Sequence, residues 1–89
     1  MVVYSWDEKK NHKLKKERNV SFEEVIVALE SKKLLDILEH KNQKKYKNQK
    51  IFVVEIDNYA YYVPFEENKD TVILRTIFPH EKATKKYLL

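Results

Sequence analysis

Apolar positions along the chain switch between two periods. Phe22, Val25, Ile26 and Leu29 recur at offsets of three, four and seven, which places them on one stripe of a helix and predicts that this stripe faces a sheet. Ile51 to Ile56 and Tyr59 to Phe65 alternate instead with the two-residue period of strands, and their β-branched and aromatic side chains suit a half-buried sheet. Asp57-Asn58 between them is a two-residue hairpin turn, so the expected pairs are Ile56 with Tyr59, Val54 with Tyr61 and Val53 with Tyr62. Val2-Val3-Tyr4 predicts a short first strand and Thr71 to Phe78 a last one. Between Lys33 and His40, the residues Leu34, Leu35, Ile37 and Leu38 fit either a continued helix or a strand after a break at Ser31-Lys32; the strand is preferred.

Polar residues mark the element ends. Asp7 can accept hydrogen bonds from the free amides of a helix running to about Arg18, with Glu8 near its positive end. That helix is polar on nearly every face, Leu14 being its one clear apolar interior residue, so it is expected on the surface. Ser21 and Glu24 form a capping box for the next helix, and Val20 and Val25 have the spacing of a hydrophobic staple. Pro79, with its fixed φ and no amide donor, suits the first turn of a C-terminal helix, and Pro64 is expected at a strand end or an unpaired edge.

Glycine is absent, so left-handed backbone is expected to fall to Asn or Asp. Asn19 then reads as a helix stop, Asp57-Asn58 as the hairpin turn, and Asn68 as part of a longer hairpin loop over Glu66 to Asp70. The sum is one α+β domain over residues 1–89: a mainly antiparallel sheet with two N-terminal helices and a C-terminal helix. The hydrophilic stretch 41–49 is the least ordered candidate.

Composition narrows the partners. With 89 residues there is room for a single modest core, and without cysteine there is neither a disulfide framework nor a thiol nucleophile. No apolar run approaches the roughly 18 residues of a membrane span, and no signal-peptide pattern opens the chain, so a soluble cytoplasmic protein with no membrane partner is expected. A net charge of +4 and a pI near 9.2 favour acidic partners. Lysines gather at Lys9, Lys10, Lys13, Lys15 and Lys16, and again at Lys41, Lys44, Lys45, Lys47 and Lys50; sixteen lysines against two arginines also fit a compositional habit of the source genome.

The two ends of the chain carry a family resemblance. Trp6, Asp7 and Lys10 match a Trp-Asp-x-x-Lys signature, Val20 to Glu24 match a Val-Ser/Asp-Phe-Glu-Glu segment, and Lys82, Ala83 and Thr84 match a closing Ala-Arg-Lys-Ala-Thr-type segment. In these pieces and their joint spacing the chain resembles the BrnT family of bacterial toxins. Glu17-Arg18-Asn19 stands where that family has Lys-His-Gly, and Glu81 where it has arginine. The resemblance implies a RelE-like fold and the toxin of a type II toxin and antitoxin pair. It implies a ribonuclease that inhibits translation by RNA cleavage, with RNA, including ribosome-bound mRNA, and a small DNA-binding antitoxin as partners.

Such cleavage transfers the scissile phosphate to the neighbouring ribose 2′-hydroxyl and requires no cofactor or metal; it requires a base, cations for phosphate charge and an acid. The candidate catalytic residues are Arg75, His80 and Lys82. Arg75 interrupts an apolar strand and suits phosphate, or else an ion pair with Glu55 or another sheet neighbour. His80 follows Pro79 at a helix start, where the dipole favours a neutral, base-competent ring. Tyr46, Tyr62, Lys85 and Lys86 are the candidate RNA-binding residues, the tyrosines by stacking and the lysines by charge. Glu39 with His40 is a weaker acid or base pair, Trp6 a structural anchor, and His12 part of a solvated face. A noncatalytic RNA- or protein-binding module of the same fold is the alternative.

Overall fold

A computed structural model describes residues 2–39, 41–45 and 48–89. Strand β1 (Val3–Ser5) leads into helices α1 (Glu8–Arg18) and α2 (Phe22–Glu30), and strands β2 (Leu34–Glu39), β3 (Gln49–Ile56), β4 (Tyr59–Asn68), β5 (Thr71–Leu74) and β6 (Phe78–Pro79) precede helix α3 (Glu81–Leu88). The strands form one sheet in the order β1-β5-β4-β3-β2, with β6 also paired to β4. Among the described residues, only β1 with β5 is parallel. The expected α+β architecture is what the chain adopts, and Leu34–Glu39 forms the preferred strand.

Helix starts follow their caps. The Asp7 side chain accepts the Lys9 N–H at 2.9 Å, and Ser21 Oγ accepts the Glu24 N–H at 3.2 Å. Asn19, at φ 56°, ends α1. Helix α2 ends with Lys32 at φ 61° and the Lys33 N–H donating to the Ala28 carbonyl at 2.9 Å, a closing turn that usually recruits glycine. The β3–β4 turn has φ of 52° at Asp57 and 64° at Asn58, the type I′ geometry that matches strand twist, and the three predicted cross-strand pairs are all present.

Alternation gives the sheet two unlike faces. On the first, Phe52, Val54, Ile56, Val63, Phe65, Val72 and Leu74 join Leu14, Val20, Phe22, Val25, Ala28 and Ile77 in the main core beneath α1 and α2. On the second, Val53 and Ala60 pack with Ala83 of α3, bordered by Leu35, Leu38, Tyr62, Tyr87 and Leu88. A bulge between Leu34 and Asp36 shifts the register of edge strand β2, and Asp36 Oδ1 accepts the Ile37 N–H at 2.7 Å. Both features blunt that edge against pairing with another strand.

Pro64 lies inside β4, opposite Ile51, with its other side at the gap in pairing between β5 and β6, the second of its two expected places. Three expectations are corrected. The stretch 71–78 is two strands: Arg75 N–H donates to the Pro64 carbonyl at 2.8 Å, but the proline has no N–H to return, so the ladder breaks and resumes at Phe78. Pro79 belongs to β6 because the Ala60 carbonyl accepts the His80 N–H at 3.0 Å, carrying pairing past it; His80 is then the cap of α3. Asn68 ends β4 opposite Thr71, which leaves a two-residue connection with Lys69 at φ 57° where a longer loop at Asn68 was expected.

Candidate functional site

The break at Pro64 decides which residues meet. Before it, β4 and β5 pair Phe65 with Leu74; after it, β4 and β6 pair Tyr62 with Phe78, a register one residue longer on the returning strand. One extra residue exchanges the faces of everything downstream. Ile77 therefore enters the main core, fully buried, while Phe78 and His80 turn to the second face beside Tyr62. The Arg18 guanidinium donates to the Ile77 carbonyl at 2.7 Å and ties the end of α1 to this crossing.

At its centre, the Tyr62 and His80 rings stack at 4.1 Å between centroids and 4° between planes, and Phe78 lies 5.7 Å from Tyr62. The His80 side chain also caps α3: Nδ1 accepts the Ala83 N–H at 3.1 Å. In the neutral ring the proton then sits on Nε2, which has no hydrogen-bond partner among the described residues. Thr84 braces the same corner, its hydroxyl accepting the Ala60 N–H at 2.9 Å and donating to the His80 carbonyl at 3.0 Å. Cap, stack and brace fix the ring's position without freezing its outer nitrogen.

Arg75 is farther away. Its guanidinium pairs with Glu66, the sheet neighbour, and not with Glu55, which bonds Lys33 at 3.5 Å. Glu66 and Tyr62 share a strand face four residues apart, about 13 Å at roughly 3.3 Å per residue. Lys82, Lys85 and Lys86 are exposed on α3, whose buried Ala83 and Thr84 and half-buried Tyr87 and Leu88 face the sheet. At about 3.6 residues per turn, Lys82 lies opposite that packed side. Lys85 bridges Glu81 at 3.4 Å, and the Lys86 ammonium lies 5.1 Å from the Tyr87 ring. Of the predicted residues, His80 and Tyr62 are in contact, Arg75 shares their face at a distance, and the three lysines line the outer side of the adjoining helix. Tyr46 and His40 fall outside the described residues.

The far end of α3 is anchored by the Tyr87 hydroxyl, which donates to Asp36 Oδ2. Sharing that proton holds Asp36 below the usual carboxylate range, helped by the Ile37 N–H, and pushes Tyr87 up to about 12. On the opposite side of the sheet, Asn11 and, to a smaller extent, its own backbone N–H hold Glu23 down. Tyr61 is raised, chiefly by burial and then by the nearby Asp57 and Glu24 carboxylates.

Phe78 and Arg18 escaped the sequence reading. The face of Phe78 depends on the extra residue opposite Pro64, and no local pattern announces it. Arg18 had a weak signal, as one of two arginines directly before a left-handed asparagine. Among the described residues, no three His, Asp or Glu side chains gather as metal ligands, and no helix is long and apolar enough to cross a membrane. The chain matches no family model, no curated protein and no solved structure.

Proposed function

We propose that this protein is the toxin of a type II toxin and antitoxin pair, of the BrnT and RelE-like kind: a metal-independent endoribonuclease that stops translation and is neutralised by a small DNA-binding antitoxin. The observation that carries this reading is the His80–Tyr62 stack at the head of a lysine-bearing helix. With Nδ1 held by the Ala83 amide, the Nε2–H is left to donate a hydrogen bond to a phosphate oxygen and stabilise the charge that develops there. The ribose 2′-oxygen attacks phosphorus as its proton passes to water, the bond to the 5′-oxygen breaks, and that oxygen takes a proton from water, leaving a cyclic phosphate and a 5′-hydroxyl. Arg75 supplies charge to the phosphate run. Its Glu66 partner is no obstacle, because a pair with side chains 49% and 35% exposed is worth about 1 kcal/mol or less.

The orientation of Lys82 and the engagement of Arg75 favour a second reading, a noncatalytic RNA- or protein-binding module of the same fold. Induced expression separates the two. The nuclease reading expects growth arrest with shortened transcripts, abolished by His80→Asn, since asparagine keeps a helix cap but has no imidazole. Normal growth and intact transcripts, with folded protein present, overturn it. Retained RNA binding in that case selects the module.

A further inference from the structure

Away from the His80 site, a groove of about 340 Å³ opens between α2 and the tip of the β3–β4 hairpin. Val27, Ala28 and Ile56 provide its apolar surface, and Glu23, Glu24, Glu55 and Asp57 rim it together with Lys33. Val27 is 62% exposed at mid-helix, on the side of α2 turned away from the core. Four carboxylates against one ammonium reverse locally the charge of a chain that is +4 overall.

These carboxylates are unequally satisfied. Glu55 has Lys33 at 3.5 Å, and Glu23 has Asn11 at 2.7 Å and Lys15 at 3.7 Å. Glu24 has only the Ser21 hydroxyl at 3.3 Å, and the Asp57 side chain has no hydrogen bond or ion pair among the described residues. Two carboxylates with no cation partner among the described residues thus flank an apolar floor whose exposed part is Val27, with Ala28 and Ile56 buried beneath. The volume suits one or two side chains, so the fitting ligand presents an apolar side chain between cations.

We infer that this groove docks a short cationic segment of a partner protein, seating one apolar side chain on Val27, Ala28 and Ile56 with lysine or arginine toward Glu24 and Asp57. Apolar contact supplies the anchor and opposite charge the specificity. The surface is independent of the nuclease reading, since it shares no residue with the His80 site.

The test is a titration of the isotopically labelled full chain with a short amphipathic peptide of leucine and lysine, read through backbone amide shifts. Shifts are expected at Val27, Ala28, Ser31, Lys33, Ile56 and Asp57, and they weaken as salt rises. The double variant Glu24→Gln with Asp57→Asn keeps the capping box and the turn while removing both charges. It should bind about tenfold more weakly, and Val27→Ser should also lose affinity. Unchanged affinity in the double variant, equal binding of a leucine and glutamate peptide, or shifts confined to the Tyr62 face each overturn the inference. So does self-association of the free chain through these same residues, which makes a second copy the occupant.

Discussion

The two faces of the sheet divide the labour unequally. Among the described residues, the first gathers thirteen buried ones from both N-terminal helices, strands β3 to β5 and the connections at Val20 and Ile77, whereas the second buries three and leaves aromatic and charged groups at its margin. A face sealed by two helices is filled mainly by apolar side chains, and its buried polar ones, Asn11 and Ser21, are hydrogen-bonded. One covered by a single eight-residue helix keeps room for an imidazole, a phenol and a guanidinium within reach of water. Stability and candidate chemistry are thereby placed on opposite sides of the same strands.

Phe22→Ala should produce the largest contrast. Phe22 is fully buried and stacks with Trp6 at 5.7 Å, so truncation should cost about 3–5 kcal/mol and lower the denaturant midpoint of the whole domain. Loss of comparable size from Lys82→Ala, on the exposed side of α3, would break the comparison. Asn11→Ala comes next. Asn11 is fully buried, accepts the Phe22 N–H at 2.8 Å and donates to Glu23 at 2.7 Å. Its removal should cost about 1–3 kcal/mol, with the Glu23 carboxyl returning toward its ordinary pKa in a carboxyl titration.

Lys32→Gly should act the other way. A lysine at φ 61° bears a left-handed penalty that glycine lacks, partly offset by glycine's greater freedom when unfolded, so melting should show a gain of up to about 1 kcal/mol. The smallest effect belongs to Tyr87→Phe; it is present at neutral pH and shrinks toward both pH extremes. Asp36 is depressed, so its contribution is complete above its unfolded pKa and is lost as pH falls through the folded value. Tyr87 is raised, so its contribution is complete below about 10 and fades as pH rises toward about 12. Hydrogen exchange in α3 should lose both limbs in the variant. Tyr61 gives the first face an alkaline limb of its own, which the substitution leaves in place.

Much of the fold was legible because its determinants are local. The Ser21 cap, the Asp7 cap, the Asn19 stop and the Asp57-Asn58 turn each act within a few residues and formed as predicted; of the Ser21–Glu24 box, Ser21 accepts the Glu24 N–H, while the Glu24 carboxylate takes the Ser21 hydroxyl. The candidate site was legible in its parts only. His80 and Tyr62 were each recognisable by type, but their contact requires the one-residue change of register opposite Pro64. Asn11 was invisible for the same reason: its two partners lie eleven and twelve residues away, so a buried polar side chain looked like one more solvated position.

Sequence by itself determined the element types, the hairpin register and the excess of positive charge, because periodicity, caps and composition need no distant partner. Tertiary structure decided which face each side chain occupies after a missing proline donor, which of the two arginines braces the crossing and which pairs with Glu66, and where acidic groups collect around Val27. Those outcomes depend on strand register and helix placement, which arise when separated segments bury one core together.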